Sequence, residues 1–305
     1  MSNPHGVLVL HKPAGLTSHD CVARVRRLYQ TRKVGHAGTL DPQVTGVLPI
    51  CLGQATRIIE YLHELPKAYE VVMRLGAATT TEDATGEIVV EQPVAPETVT
   101  RERVEAVFRR FRGEIRQVPP MYSAVKVNGK RLYEWARRGE VMERPARSVF
   151  IYDLELRTIS YSPHVELHFY CRCSKGTYIR TLCVDLGAAL GYPAHMSRLT
   201  RVESGPFTLK QTVSLAELEA RQQAGEDLSR LLVSLEDALA FLPRVEVSPA
   251  RKTALLNGLE TALPDTRLAE GSLIRLFAGE QLIGIYRVCH GSKGPYAKPE
   301  KVFRF

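Results

Sequence analysis

Long apolar runs are missing from this 305-residue chain, and so is the pattern of a secretory signal. No apolar run approaches the roughly 20 residues that a helix needs to cross a bilayer. The first residues lack a basic region followed by an apolar stretch and a small-residue cleavage site. We therefore expect a soluble, cytoplasmic protein without membrane contact.

Cysteine is scarce, and the six cysteines do not have the spacing of a metal site. Only Cys171 and Cys173 are close in sequence, and no CxxC or paired-histidine motif accompanies them. His164-Val165-Glu166 has the H-x-E form of a zinc deaminase, but the P-C-x-x-C partner is missing. The sequence therefore predicts no metal, and we expect reduced, mostly buried thiols.

Motifs for common cofactors are missing as well. The chain has no GxxxxGK[ST] loop, no Rossmann glycine pattern after a strand and no G-x-S-x-G nucleophile elbow. These absences argue against a nucleotide-driven or nicotinamide-dependent enzyme. No cofactor is predicted.

Positive charge is in excess, and most of the excess lies in one segment. The chain has 41 Lys and Arg against 33 Asp and Glu, a net charge of +8. Residues 101–148 alone hold 13 basic and 6 acidic residues, whereas residues 211–242 are net acidic. A concentrated basic segment is typical of a surface that contacts a polyanion such as nucleic acid.

A β-hairpin is predicted inside this basic segment, at Val125–Leu132. Asn128-Gly129 favours a two-residue type I′ turn, because both residue types accept positive φ. The hairpin carries Lys126, Lys130 and Arg131, which makes it a candidate for gripping a phosphate backbone. The alternative is a solvated hairpin that contacts no nucleic acid.

Hydrophobic periodicity predicts a mixed α/β chain. Alternating or short apolar runs predict strands at Val7–Leu10, Thr45–Leu52, Lys67–Leu75 and Val165–Cys173. Helical spacing predicts helices after a Thr17 or Ser18 cap and at Ala55–Leu62, Val99–Phe111, Ile179–Leu190 and Leu215–Leu242. We interpret the last of these, which is acidic, as a solvated outer layer. Short strands follow Pro243, at Leu273–Phe277, Leu282–Val288 and Val302–Phe305.

We therefore place a domain boundary at Pro243. The prediction is a larger domain, 1–243, with a basic insertion at about 118–147, and a small β-rich domain, 244–305. The second segment is small for a domain that folds alone.

The string Gly35–Pro42 is the densest in residues that suit a site. Its glycines allow tight curvature, and Pro42 biases Asp41 towards an extended conformation. A carboxylate on such a loop is well placed for nucleophilic or acid/base chemistry. The alternative is a turn whose aspartate hydrogen-bonds its own backbone.

Two further strings hold candidate residues. Arg180 follows the Lys175-Gly176 turn, where it would pair with a carboxylate and keep it ionised, or would be an ordinary surface arginine. Tyr69 lies on the apolar face of a predicted strand, so it belongs to the core unless a flat ligand stacks on it.

Taken together, these strings resemble the TruB-type tRNA pseudouridine synthases. The resemblance covers essentially the whole chain, and its pieces occur in family order. They are Lys12-Pro13, Gly35–Pro42, Thr45–Pro49, Gly53–Arg57, Lys67–Tyr69, Pro119–Ala124, Gly176–Arg180 and Leu199–Arg201.

The resemblance implies a fold and a reaction. The fold is of the α+β type, with a mixed, largely antiparallel sheet flanked by helices and a small C-terminal domain of the PUA type. The reaction converts uridine 55 of the tRNA T-loop to pseudouridine after the base is flipped out of its stack. No cofactor and no metal are required. The implied partner is tRNA, held by its T-arm and, through the C-terminal domain, by its acceptor end, and the protein is expected to be a monomer.

The resemblance also implies residue roles. Asp41 is the nucleophile, which attacks the base ring or the sugar carbon. Arg180 holds Asp41 as a carboxylate, and Tyr69 stacks on the base and takes part in proton removal. The implied substrate-binding residues are His36, which fills the vacated stack, Tyr178 and Leu199 in the pocket wall, Lys12 nearby, and Lys126, Lys130 and Arg131 in a mobile lid.

Two alternatives stay open at this stage. One is a tRNA-binding or folding module without catalysis, although the presence of Asp41 argues against it. The other is a related synthase that acts on guided or ribosomal RNA. Incubating the chain alone with a T-arm minihelix separates these alternatives, because guided members need a partner RNA.

Overall fold

The computed structural model describes residues 4–123, 126–127, 129–136, 138–140, 142–264, 267–292 and 294–304. The α helices are α1 Ser18–Leu28, α2 Ile59–Glu64, α3 Arg101–Phe111, α4 Leu132–Ala136, α5 Ile179–Leu190, α6 Leu215–Gln223, α7 Leu235–Ala238 and α8 Lys252–Leu256. The strands are β1 Gly6–Lys12, β2 Val34–His36, β3 Thr45–Leu52, β4 Lys67–Leu75, β5 Ala77–Thr79, β6 Ile88–Glu91, β7 Gly113–Gln117, β8 Lys126–Val127, β9 Lys130–Arg131, β10 Arg147–Ser160, β11 Glu166–Cys173, β12 Ala194–Ser204, β13 Phe207–Thr208, β14 Val213–Ser214, β15 Leu232–Val233, β16 Arg244–Val247, β17 Thr261–Ala262, β18 Leu273–Ala278, β19 Gln281–Gly291 and β20 Gly294–Val302.

A large mixed sheet of eleven strands organises the first part of the chain. Its main order is β14-β1-β3-β12-β4-β11-β10-β7, and β2, β13 and β15 add to it at the side. Most neighbours are antiparallel, but β3 pairs with β12 in parallel, as does β1 with β14. The predicted mixed, largely antiparallel sheet is therefore confirmed.

The two faces of the sheet bury different clusters. Leu8 and Leu10 of β1 face a core that includes α1, α3 and α5. Val7 and Val9 of the same strand face a second cluster, in which Phe277 and Phe303 of the C-terminal part also lie. Alternate side chains of β1 thus pack into two different cores.

The C-terminal part forms a separate five-stranded sheet, ordered β16-β18-β19-β20-β17. It begins at Arg244, next to the predicted boundary, and has a small apolar cluster of its own. It also shares the cluster that contains Phe277 and Phe303 with the large sheet. The division into two domains at Pro243 stays a prediction.

Several predicted elements match the structure closely. The bounds predicted for Thr45–Leu52, Lys67–Leu75 and Ile179–Leu190 are those of β3, β4 and α5. Thr17 is the N-cap of α1, where its hydroxyl accepts from the Asp20 amide and the Asp20 carboxylate accepts from the Thr17 amide. In the basic hairpin, β8 pairs with β9 around Gly129, whose φ is +80°. Asn128 and the side chains of Lys126, Lys130 and Arg131 lie outside the described residues.

Two predicted elements are wrong. Leu215–Leu242 is not one solvated helix but two short helices, α6 and α7, separated by a turn, a 3-10 helix and β15. The chain turns at Gly225, where φ is +74°, and Leu228 and Leu235 are buried because they belong to the cores. The final strand is Gly294–Val302 rather than Val302–Phe305; Pro295 and Pro299, which disfavour a strand assignment, hid it.

Two general predictions concern membranes and thiols. Among the described residues, no helix is both long and apolar enough to cross a membrane. Five of the six cysteines are buried, and Cys289 is half-buried.

Candidate active site

Asp41 lies on a loop between β2 and β3, at a small cavity of about 100 Å³. Its neighbours come from four places in the chain, because β3, β4 and β12 are adjacent in the sheet and α5 begins beside them. The lining residues are Leu40, Asp41, Val44, Tyr69, Thr177, Tyr178, Ile179, Arg180 and Leu199. The structure thus brings together five residues that the sequence singled out: Asp41, Tyr69, Tyr178, Arg180 and Leu199.

The Asp41 loop is held from beneath by a buried lysine. Lys12 has no exposed surface, and its ammonium donates to the carbonyls of Pro13, Pro42 and Val44 at 2.8–2.9 Å. Burial lowers the Lys12 pKa, and the nearby Asp41 raises it. Lys12 therefore contacts the loop rather than the cavity, and its predicted contact with substrate stays a prediction.

A buried arginine supports the other end of the loop. Arg201 of β12 is 1% exposed, and its guanidinium donates to the carbonyls of Val47 at 2.7 Å and Gly38 at 3.0 Å. It also lowers the pKa of the Tyr69 hydroxyl, against the larger effect of burial. Gly46 of β3 permits the close approach of the β12 main chain, since a Cβ at this position would lie 2.1 Å from the Arg201 carbonyl oxygen. The φ of Gly46 is +106°, which also favours glycine.

Arg180 forms the central ion pair of the site. Its side chain is 6% exposed, and Nη2 lies 3.2 Å from Oδ2 of Asp41. Nη1 lies 3.8 Å from Oδ2 of Asp83, and the guanidinium also donates to the carbonyls of Thr81 and Tyr122. One buried cation therefore joins two carboxylates and two loops.

The charges around Asp41 work against one another. Partial burial raises the pKa of the Asp41 carboxyl above its usual value, Arg180 lowers it, Asp83 raises it, and Lys12 lowers it. The net shift is upward. Arg180 therefore offsets the cost of holding a carboxylate here without reversing it.

Asp83 was missed by the sequence reasoning. Its carboxylate accepts from the Thr81 and Thr85 hydroxyls at 2.8 and 2.6 Å and from the Thr85 amide at 2.9 Å. The signal lay in the threonine-rich turn after β5, where an aspartate between hydroxyl residues makes such local bonds. The turn did not indicate the contact between Asp83 and Arg180, because these residues are nearly a hundred positions apart in the sequence.

Tyr69 and His36 differ in their relation to the cavity. Tyr69 lines it, and burial raises its pKa to about 12 against the opposing effect of Arg201. His36 lies at the end of β2, outside the residues that line this cavity. Burial, His63 and Arg201 lower the His36 pKa to about 4, so its imidazole is neutral at pH 7. Within the described residues, its Nδ1 is buried without a hydrogen-bond partner.

Comparisons with known proteins show the family to which this chain belongs. Residues 26–179 match the family model described as TruB family pseudouridylate synthase, N-terminal domain. Residues 180–240 match the model of the tRNA pseudouridylate synthase B C-terminal domain. The two matches together span the residues that line the cavity.

Full-length relatives and solved structures are similar as well. A protein of Geobacillus thermodenitrificans named tRNA pseudouridine synthase B is 51% identical over 98% of this chain and 99% of its own length. One of Halalkalibacterium halodurans with the same name is 48% identical over 97% of both. An H/ACA ribonucleoprotein structure, bound to a substrate RNA containing 2′-deoxyuridine, includes a chain of similar fold. That chain is 26% identical, with a TM-score of 0.76, over 99% of this chain and 86% of the other.

Proposed function

We propose that this chain, which belongs to the TruB family of pseudouridylate synthases, is a tRNA pseudouridine synthase with Asp41 as its nucleophile. The observation that carries the assignment of Asp41 is its ion pair with the buried Arg180 at the cavity. Such a pair fixes the direction of the carboxylate and favours its ionised form.

The reaction is an isomerisation. The bond from C1′ to N1 of uridine breaks, the base rotates, and C5 forms a bond to C1′. One proton leaves C5 and one is taken up at N1, so atoms balance without an oxidant or a co-substrate. Asp41 supplies the nucleophile, at the base ring or at the sugar carbon, and either attack needs the carboxylate.

The other candidate residues fit supporting roles. The Tyr69 ring and the Leu199 side chain would stack against a flipped base, and Tyr178 would close the pocket wall. With Arg201 counteracting the effect of burial on its pKa, Tyr69 would take part in removing the C5 proton. His36 would enter the RNA stack that the base leaves, a role suited to a neutral ring. Lys12 would act by holding the loop.

The substrate is proposed to be uridine 55 in the T-loop of tRNA. The T-arm backbone would lie against the basic insertion, with Lys126, Lys130 and Arg131 as phosphate contacts. The C-terminal sheet would act as a PUA-like domain at the acceptor end. The protein would act as a monomer in the cytoplasm, with no metal or cofactor.

Incubating the purified chain with a T-arm minihelix tests this proposal. We expect pseudouridine at the position of uridine 55, without guide RNA and without added metal, and no product with Asp41→Asn. Product that appears only when a guide RNA is added would favour a guided synthase instead. Binding without product would favour a non-catalytic module.

A further inference from the structure

Gln117 makes an unusual double contact with the main chain beside the cavity. It is the last residue of β7 and is 2% exposed. Its Nε2 donates to the Tyr178 carbonyl at 3.2 Å, and its Oε1 accepts from the Tyr178 amide at 3.0 Å. A carboxamide presents a donor and an acceptor side by side, so it pairs with one residue as a neighbouring strand would.

The residue that Gln117 holds begins the helix of the site. Tyr178 is the N-cap of α5 and has no side-chain cap of its own. Its carbonyl also accepts the first helical bond, from the Leu182 amide at 3.0 Å. Arg180 is the second residue of this helix, so a shift of Tyr178 moves the guanidinium away from Asp41.

Gln117 is also the point at which the basic insertion begins. It pairs with Arg147 of β10, so the chain leaves and re-enters the sheet at one position. Inside the insertion, Arg144 donates to the Pro119 carbonyl at 3.1 Å. Arg180 donates to the Tyr122 carbonyl at 2.8 Å. Hydrogen bonds therefore run from the insertion to the helix start and back from Arg180 to the insertion.

We propose that Gln117 is a positioning residue that joins the root of the basic insertion to the turn carrying Tyr178 and Arg180. Gln117 is not among the residues that line the cavity, so it acts through those two residues. The inference rests on the proposed function. It adds that the basic insertion, which is proposed to hold RNA, and helix α5, which carries Arg180, share Gln117 as a support.

The first test is Gln117→Met in the full chain. Methionine keeps the length of the side chain and removes both hydrogen bonds. We expect the single-turnover rate at saturating tRNA to fall about 10- to 100-fold, as for a misplaced catalytic group, with little change in Kd. The acid limb of the pH–rate profile should move to higher pH, because Arg180 counteracts burial and Asp83 less well when displaced, leaving Lys12 as the other cation near Asp41.

Gln211→Met is the matched control. The Gln211 carboxamide also accepts from a backbone amide, that of Thr208 at 2.8 Å, but Gln211 does not line the cavity. It should lose stability without a change in the pH profile. If Gln117→Met does not fold, Gln117→Asn replaces it, since asparagine keeps an uncharged carboxamide but is one methylene shorter and cannot make both bonds to Tyr178. We expect its rate to fall below that of the wild type, with the pH profile shifted in the same direction.

Hydrogen exchange separates this inference from the proposed function. Breaking the two hydrogen bonds between Gln117 and Tyr178 should speed exchange at the Tyr178 amide in the protein without RNA. If the wild type makes no pseudouridine while Gln117→Met speeds this exchange, the proposed function fails and the positioning contact remains. A folded Gln117→Met variant with wild-type rate, pH profile and exchange would overturn the inference. So would a variant weakened in Kd alone.

Discussion

The Asp41 loop and the basic insertion are built in opposite ways. The loop has little regular structure, yet buried cations from β1 and β12 hold its carbonyls from beneath. In the described part of the insertion, regular structure consists of the two-residue strands β8 and β9 and the five-residue helix α4. A reacting carboxylate must be held within a fraction of an ångström, whereas contacts to a phosphate backbone tolerate wider variation.

Residues of the two regions act on different partners. The cations of the loop region are buried and bind protein groups, as Lys12, Arg180 and Arg201 show. Charge in the insertion is concentrated in the sequence and is proposed to work on RNA. Mutations in the first region should therefore change the chemical step, and mutations in the second should change affinity and its dependence on salt.

The largest effect is expected from Asp41→Asn. The change keeps the shape and removes both the charge and the nucleophile, so pseudouridine formation should fall by several orders of magnitude. Single-turnover assays measure the loss, and filter binding should show nearly unchanged affinity for tRNA. A variant that keeps more than about a tenth of the wild-type rate would exclude Asp41 as the nucleophile.

Arg180→Met should come next. Without the guanidinium, burial and Asp83 raise the Asp41 pKa further, so the carboxylate is lost at a higher pH as acid is added. We expect a rate loss of about 10²- to 10³-fold at neutral pH and an acid limb displaced to higher pH.

Two variants sharpen the Arg180 experiment. Arg180→Lys should restore only part of the rate, because a point charge does not replace a planar fork that serves Asp41, Asp83 and two carbonyls. Arg172→Met is the control, since Arg172 is an exposed arginine of β11 that lies 3.9 Å from Asp153. A fully active Arg180→Met protein would contradict the pairing with Asp41.

Lys12→Met tests the support beneath the loop. It leaves buried carbonyls without their donor, so the free energy of unfolding should fall by about 1–3 kcal/mol. The rate should fall less than in Arg180→Met, because Lys12 reaches Asp41 only through the loop and its charge. Lys67→Met is the matched control: Lys67 is also buried and donates to the carbonyls of His63 and Leu65, but neither of these residues belongs to the Asp41 loop. Equal rate losses in the two variants would contradict a specific role for Lys12.

Local patterns predicted the strands and helices that form the site. Period-two alternation placed β4 and β11, and helical spacing placed α5, because each of these elements buries one face in a single core. The same reasoning failed for Leu215–Leu242, whose apolar residues serve two cores from separate short elements.

Long-range contacts could not be predicted from the sequence. The sequence singled out Lys12, but only the fold shows that it is fully buried and bonded to carbonyls about thirty residues later. Arg201 lay in a family string without an assigned role, and Asp83 lay in a turn that looked like any polar loop. The role of each of these three residues depends on partners that are distant in sequence and that only the fold brings close.

The smallest effect on the chemical step is expected from neutralising the hairpin. Replacing Lys126, Lys130 and Arg131 by alanine should remove phosphate contacts, so binding should weaken for every RNA sequence. Each lost contact should lower the slope of log affinity against log salt by about 0.7–0.9. The rate at saturating tRNA should change less than the affinity, unless lid closure also orders the pocket.

The measurement is a salt titration of tRNA binding by the wild type and the hairpin variant. The control is a triple alanine variant of Lys210, Arg221 and Arg230, which are basic residues in and next to the acidic segment 211–242. Parallel slopes for wild type and hairpin variant would place the RNA path elsewhere, and the contrast between a fixed loop and an RNA-gripping insertion would then fail.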